Sequence, residues 1–413
     1  MNVRQITPSG TFAAAQAELL RLQEMGVDVV WLMPVQPIGV VNRKGSLGSY
    51  YAIKNYTDFN PEFGQRADFE RFMNEAHRLG LRVILDWVAN HTSPDHLWTA
   101  HNHWHKRNEQ GSLKVQYDWT DIAELDYTNA EMQAAMRDAM LWWVKNFDLD
   151  GFRCDMAMLV PTEFWESATA ALQQQKPDLL MLAEAEEPAL MHRAFDAFYA
   201  WNLFHTMNDV AQGKAAADAL WTSIHKQQSQ FVQGAVPLLF TSNHDENSWN
   251  GTEFERMGTS GAAAFAAFCY LVQGLPLIYT GQEMGNRHRL AFFEKDNIER
   301  VPHAAQKELY STLNHLRKSH PALWCGNNST MQQIHNLLPQ QVFSVLCNKD
   351  ADNVLGVFNF SNRAADVKID TSLLPQNGTQ LVDNQDATSA FCPILHLEGW
   401  EYKIFVPALN PTI

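Results

Sequence analysis

Cysteine is scarce in this chain, with five residues (Cys154, Cys269, Cys325, Cys347 and Cys392) among 413 and no CxxC pair. An odd, scattered set excludes a disulfide framework and gives no sign of a zinc or redox site. Long apolar runs are also missing: no stretch of 18 apolar residues occurs, so nothing reads as a membrane span. Basic residues are in deficit, 31 Lys and Arg against 46 Asp and Glu, for a formal net charge of −15. A nucleic-acid or anionic-membrane partner would need a basic face, so neither is expected. The opening MNVRQITPSG has no apolar signal-peptide core, and a reducing cytoplasm is the simplest expectation. Because the first apolar run begins almost at Met1, a leader cut away upstream stays open. Internal repeats, low-complexity tracts and a Gly-rich phosphate loop are not evident, and nothing indicates an oligomeric state.

Hydrophobic residues make up 46% of the chain and charged residues 19%, which fits a packed globular protein of more than one domain at this length. Aromatic residues are plentiful (13 Trp, 10 Tyr, 23 Phe), and a flat ring can stack on the apolar face of a sugar. Short β-branched runs alternate with amphipathic patterns. The expected strands are Val3–Ile6, Val29–Met33, Arg82–Asp86, Gly151–Asp155, Leu180–Glu184, Ala197–Trp201, Leu238–Thr241 and Pro276–Tyr279. The expected helices are Phe12–Met25, Arg66–Leu79, Ala130–Asn146, Pro161–Gln175, Ala215–Phe231, Gly258–Val272 and Ala304–His320; Pro188–Asp196 is too short for one. This alternation predicts parallel βαβ units and an α/β fold, a (β/α)8 TIM barrel with right-handed crossovers. Between His91 and Asn129 the chain is polar and long, as an inserted functional loop would be. After Cys325 short alternating runs (Val342–Cys347, Val354–Phe360, Ala365–Ile369, Thr379–Val382, Tyr402–Val406) predict a small antiparallel β-sandwich.

In such a barrel the chemistry sits at the C-terminal ends of the strands. There the third strand ends Asp86-Trp-Val-Ala-Asn90-His91, the fourth reads Gly151-Phe-Arg153-Cys-Asp155, the fifth ends in Glu184, and the seventh in Asn243-His244-Asp245-Glu246. Carboxylates brought to one rim repel and raise one another's proton affinity. Cleavage of an acetal justifies that cost, because one carboxylate must be ionised to attack while the other donates a proton to the leaving oxygen. Arg153 and Asp155, two residues apart, share one side of the strand, where the guanidinium would keep Asp155 ionised. His101, His103 and His105 alternate as metal ligands on one strand face would, or belong to a solvated loop near the substrate.

These motifs resemble those of glycoside hydrolase family 13, the α-amylase family, in its order and on the expected strands. Further matching segments are Gly26-Val-Asp-Val-Val-Trp-Leu-Met-Pro34, the Tyr51–Gly64 stretch and Gly281-Gln-Glu283. The resemblance covers essentially the whole chain. It implies a catalytic barrel over 1–90 and 130–324, an inserted domain over 91–129 and a C-terminal β-sandwich over 325–413. It also implies Asp155 as nucleophile, Glu184 as general acid/base and Asp245 as the third carboxylate. His91 and His244 would bind the sugar before the scissile bond, Arg153 would partner the nucleophile, Tyr51 would stack on the sugar, and Asp86 would support the loop carrying His91. No organic cofactor is implied. A structural calcium would draw on Asn90 and on Glu124, which stands where an aspartate is commoner. The expected activity is retaining hydrolysis of α-1,4-glucosidic bonds in starch-like glucans or maltooligosaccharides, with the two carboxyl groups about 5–5.5 Å apart. An α-glucosidase or glucan-transferring enzyme, and a catalytically silent sugar-binding protein, are the alternatives. Met158 and Leu159 stand where many α-amylases carry Lys-His against the leaving-side sugars, a departure that bears on the endo-acting label and on chain length.

Overall fold

The amphipathic segments of the sequence become helices where a cap or an apolar stripe favours them, and the β-branched runs between them become buried parallel strands. The computed structural model describes residues 1–408 apart from 102, 303, 327, 375–380 and 387. It divides into two compact units, Met1–Tyr199 with Tyr279–Val301, and Ala200–Ile278 with Pro302–Ile413.

The first unit carries helices α1 (Val3–Ile6), α2 (Phe12–Gln16), α3 (Leu19–Glu24), α4 (Arg66–Arg78), α5 (Ala130–Phe147) and α6 (Thr162–Gln175). Its strands are β1 (Val29–Leu32), β2 (Arg82–Trp87), β3 (His91–Thr92), β4 (Ala123–Glu124), β5 (Gly151–Cys154), β6 (Leu180–Ala183) and β7 (Ala197–Tyr199). Strands β1, β2, β5, β6 and β7 pair in that order, all parallel. In α4, Phe69, Phe72, Met73 and Ala76 are buried at helical spacing, and a Gln65/Asp68 capping box closes its N-terminus. Asn129 caps α5 by accepting the Met132 N–H. Gly151 opens β5 because a Cβ there would stand 2.1 Å from the Leu180 carbonyl oxygen; glycine lets β5 and β6 pair closely just before Arg153. The antiparallel pair β3–β4 sets His91 opposite Glu124.

Val3–Ile6, expected as the first strand, is the short helical turn α1. All four of its residues are buried, and Val3 and Ile6 stand three apart, a helical rather than a strand spacing. The backbone beside β1 is Met1, whose carbonyl accepts the Met33 N–H at 3.0 Å. The helix expected over Phe12–Met25 is split into α2 and α3.

The second unit holds helices α7 (Trp201–Ala211), α8 (Asp218–Gln230), α9 (Glu253–Leu271, kinked at Gly258 with φ +72°) and α10 (Ala305–Ser319). Two parallel strands, β8 (Val236–Phe240) and β9 (Leu275–Leu277), pair there. The sequence reading missed α7 by extending the preceding strand to Trp201, although Leu203, Phe204, Met207 and Val210 form a buried helical stripe. The antiparallel part contains β10 (Thr330–Gln333), β11 (Val342–Lys349), β12 (Asp352–Asn359), β13 (Ala365–Lys368), β14 (Leu381–Asp383), β15 (Ile394–Leu397) and β16 (Tyr402–Pro407). Five of them form a sheet in the order β10-β11-β12-β16-β14, and β13 pairs with β15. Strands β10 and β15 were not foreseen, and Thr379 and Gln380 of the expected Thr379–Val382 strand lie outside the described residues. Among the described residues, no helix is long and apolar enough to cross a membrane.

Candidate active site

Strand register brings the polar residues of the first unit together. Asp86 on β2 lies opposite Arg153 on β5. Asp155 and Glu184 each continue the ladder one residue past their strands, Asp155 N–H donating to Trp87 O at 2.9 Å and Glu184 N–H to Cys154 O at 3.0 Å. Their side chains therefore leave the sheet at the same level.

Arg153 is the hub. It is fully buried, and its Nη1 donates to Asp86 Oδ1 at 2.8 Å and to Asp155 Oδ1 at 3.1 Å. Nη2 stands 2.8 Å from Glu184 Oε1, a charge contact out of line for a hydrogen bond, and Nε donates to the Tyr199 hydroxyl at 3.1 Å. Trp31 and Tyr199 lie within cation–π range of the guanidinium, at 5.0 and 5.4 Å. A buried guanidinium is tolerated only when paired and hydrogen-bonded, and here one fork meets three carboxylates.

Asp86 is saturated on its other oxygen, Oδ2, by Trp31 Nε1 at 3.2 Å and by the Tyr51 hydroxyl at 3.0 Å. Burial pushes its carboxyl upward, with Arg153 opposing. Asp86 thus anchors Arg153 and Tyr51, not the loop that carries His91. That loop is held by Tyr56, whose buried hydroxyl reaches Val88 O at 2.7 Å and His91 O at 3.0 Å. Glu184 Oε2 accepts the Met156 N–H at 2.9 Å. Met156 itself adopts a left-handed conformation, φ +43°, which is rare for a side chain of this size and common at functional sites.

Tyr51 is half-buried, and its ring stacks on Phe292, centroids 6.2 Å apart. His91 is buried, and desolvation lowers its imidazole to about 4, so it is neutral near pH 7 and presents a hydrogen-bonding edge without charge. Burial also pushes the Cys154 thiol and Tyr199 hydroxyl well above their ordinary values; both act as neutral groups. Trp31 and Tyr199 received no role from sequence reasoning. Their signal was present: each sits one residue from a buried apolar neighbour on a strand and carries a polar edge.

His244 and Asp245 belong to the second unit, just after β8. Asn243 Oδ1 accepts the Asp245 and Glu246 N–H groups at 3.0 and 2.8 Å, which turns the chain sharply out of the strand. His244 Nε2 lies 3.2 Å from Asp245 Oδ2; His244 is buried and the Asp245 side chain is 39% exposed.

The histidines of the inserted segment do not share one face. His105 is buried and meets Thr92 Oγ1 at 2.8 Å, whereas His101 is exposed and stacks on Trp104 at 4.1 Å. Among the described residues, no three His, Cys, Asp or Glu side chains converge as metal ligands. Of the two residues suggested for calcium, Glu124 fits poorly. Asn90 directs its amide to Gln116 Oε1 at 2.8 Å. Glu124 is buried, with Lys106 Nζ 3.3 Å from Oε1 and Lys114 Nζ 3.0 Å from Oε2, the latter a charge contact without hydrogen-bond alignment. Backbone bonds lock this trio: Lys106 N–H to Glu124 O, Glu124 N–H to Lys114 O and Lys114 N–H to Lys106 O, each 2.9 Å. Two ammonium groups already neutralise the carboxylate. A divalent ion there would face both, at about 4 kcal/mol of repulsion per pair of unit charges 4 Å apart at an effective dielectric near 20.

A model of the α-amylase catalytic domain matches residues 7–111 and 99–324. Among curated proteins, the chain is 28% identical over 324 residues to an α-amylase, MalA, of Haloarcula japonica, covering 76% of this chain and 46% of that one. It is likewise 28% identical over 366 residues to an α-1,4-glucan:maltose-1-phosphate maltosyltransferase of Cereibacter sphaeroides, covering 79% and 59%. The chain thus spans about half the length of the curated relatives it matches. Among solved structures, a noncanonic maltogenic α-amylase, AmyB, of Thermotoga neapolitana superposes with a TM-score of 0.86 at 29% identity, covering 97% of this chain and 94% of that one. The fold is accordingly the (β/α)8 barrel with an inserted loop and a C-terminal antiparallel domain, and the chain belongs to the α-amylase family.

Proposed function

We propose that this chain is a retaining enzyme acting on α-1,4-linked glucans, with Asp155 as nucleophile and Glu184 as general acid/base. In the first step an Asp155 oxygen bonds to the anomeric carbon as the bond to the leaving oxygen breaks, and Glu184 supplies that oxygen's proton. In the second, Glu184 takes a proton from water, which attacks the same carbon and releases Asp155. The single observation carrying this reading is the Arg153 fork, which touches Asp155 and Glu184 at 3.1 and 2.8 Å. One guanidinium bridging both groups suits direct attack better than a water-wide gap, and its charge favours an ionised Asp155.

Around that centre, Tyr51 would supply a ring at the sugar and neutral His91 a hydrogen-bonding edge, while the roles of second sugar-binding histidine and third carboxylate fall to His244 and Asp245. Arg153, braced by Asp86, Trp31 and Tyr199, positions the nucleophile. No organic cofactor is needed, and the Lys106–Glu124–Lys114 cluster takes the structural place that calcium would hold. Met158, 42% exposed, and half-buried Leu159 follow the nucleophile in a short turn and offer no charged contact to a leaving-side sugar. This favours short maltooligosaccharides over granular starch. Transfer to a second sugar is the other reading, favoured by the relative named as a maltosyltransferase, since the chemistry is the same until the acceptor arrives.

The test is a chromatographic time course on maltoheptaose, wild type beside Asp155→Asn. Shorter products from wild type alone support hydrolysis; products longer than the substrate support transfer. Equal inertness of both proteins across α-glucans contradicts the proposal.

A further inference from the structure

The loop between β1 and α4 carries a strap, residues 39–48, whose tip has little core of its own: Val40 and Val41 are 58% and 45% exposed. Apolar burial therefore does not seat the tip, and polar bonds do. Its start is pinned by Asp95, whose two carboxyl oxygens accept the Val40 N–H at 3.2 and 3.1 Å. Arg43 folds the strap back on itself, donating to Gly39 O at 2.8 Å and to Ile38 O at 3.1 Å.

On one side the strap meets the inserted segment. Asn42 Nδ2 donates to Thr120 O at 3.0 Å, and Lys44 Nζ donates to Asp118 O and faces Asp121 Oδ1, both at 3.4 Å. Between Asp118 and Thr120 stands Trp119, whose ring is 5.7 Å from that of His91. On the other side the strap meets the loop after β9. Ser46 donates its N–H to Glu294 Oε1 at 2.8 Å and its hydroxyl to Oε2, and Leu47 N–H donates to Phe293 O at 3.1 Å. The adjacent Phe292 is the ring stacked on Tyr51.

The backbone suits this fit. Gly45 has φ +63°, and a Cβ there would stand 2.5 Å from Phe293 Cβ and 2.6 Å from Glu294 Oε1, so glycine permits the close approach. Asn42, at φ +56°, takes a left-handed turn that asparagine tolerates better than most side chains.

The strap thus runs from the neighbour of His91 to the neighbour of Tyr51 and is fixed at both. Those two residues are proposed above to hold the sugar whose anomeric carbon Asp155 attacks. The leaving oxygen, with every unit on its reducing side, departs past Glu184. Units on the other side of the attacked sugar, toward the non-reducing end, meet the strap.

We propose that residues 39–48 end the cleft there, so that the enzyme admits only the non-reducing end of a maltooligosaccharide and removes a short product of constant length. This assignment rests on the function proposed above and adds the direction of attack. Asn42, Lys44 and Ser46 determine which chains enter and take no part in the chemistry.

The test uses the full chain and two maltoheptaoses, both with a fluorescent label at the reducing end and one also with a 4,6-O-ethylidene block on the non-reducing glucose. Wild type is expected to shorten the unblocked chain in constant steps and to cut the blocked chain more slowly, by about tenfold or more. Cleavage of both at similar rates, with mixed product lengths, overturns the inference and leaves the catalytic reading intact. Inertness toward both refutes the catalytic reading and this assignment with it. An Asn42→Gly, Lys44→Ala, Ser46→Ala triple variant keeps the turn accessible and weakens both anchors. It is expected to speed cleavage of the blocked chain about tenfold while changing the unblocked rate by less than about threefold. A variant that still cuts the unblocked chain but gains nothing on the blocked one contradicts the strap's role.

Discussion

Replacing Arg153 by methionine keeps much of the side-chain volume and removes a charge that faces Asp86, Asp155 and Glu184 together. The three carboxylates are 1%, 7% and 6% exposed, so each must stay charged in a poorly solvated place or bind a proton. Removing one partner of a buried ion pair costs about 3–5 kcal/mol, and that loss is expected for Arg153→Met near pH 8. The sign with pH then follows from linkage. Without the guanidinium the folded-state carboxyls bind protons more readily than in the unfolded chain. Their destabilisation is greatest at high pH and is relieved as pH falls, by about 1.4 kcal/mol per pH unit for each group that takes up a proton. Urea midpoints of wild type and variant, followed by tryptophan fluorescence near pH 8 and near pH 5, should show the gap between the two proteins narrowing at the lower pH. Turnover of maltotriose should fall about 10³-fold or more, because Asp155, the nucleophile proposed above, loses its ionising partner. A stability gap of equal size at both pH values would mean that Arg153 acts by packing alone and would refute the reasoning.

Other consequences follow from the same geometry. Tyr199→Phe strands the Arg153 Nε–H without its acceptor and should cost about 1–3 kcal/mol of stability, with kcat falling more than KM changes; an unaltered kcat would contradict a positioning role. Burial lowers His91 to about 4, His96 to about 3 and His105 to about 4. Because the unfolded chain takes up those protons near 6.5 and the folded chain does not, stability should fall as pH drops from about 6.5 toward 4, by up to about 1.4 kcal/mol per pH unit per histidine. Replacing His96 by Leu should make urea unfolding less steep in pH by about one proton, and an unchanged pH dependence would count against this account. Dialysis against a chelator should leave Tm and activity unchanged, whereas the Lys106→Met, Lys114→Met double variant should lower Tm; a Tm that drops on chelation and recovers with calcium would contradict the lysine cluster's structural role.

How much of this was legible in the sequence depended on whether a feature was local. Asp155 and Glu184 could be read because a single polar residue at the end of an apolar run is conspicuous, and register needs only the strand order to bring them together. Arg153 was legible for the same reason, two residues from Asp155 on one strand face. Val3–Ile6 misled because four residues are too few to separate a helical spacing from a strand, and α7 was hidden because its apolar stripe begins where the preceding strand stops. Tyr199 and Trp31 act on Arg153 through the closing of parallel strands, and Lys106 and Lys114 meet Glu124 across 18 and 10 positions of the inserted segment. None of these contacts has a signature in local spacing. The Asp86 role was misjudged in the same way, because its partners lie on β1, on β5 and in the loop carrying Tyr51.

The most direct measurement is to trap the sugar on the enzyme. Incubation with a 5-fluoro-α-glucosyl fluoride, which slows the second step more than the first, followed by proteolysis and mass spectrometry, should place one fluoroglucosyl group on the peptide containing Asp155. The same treatment of Asp155→Asn should place none. A label on Glu184, or turnover of the reagent with inverted anomeric configuration and no labelled peptide, would contradict the account.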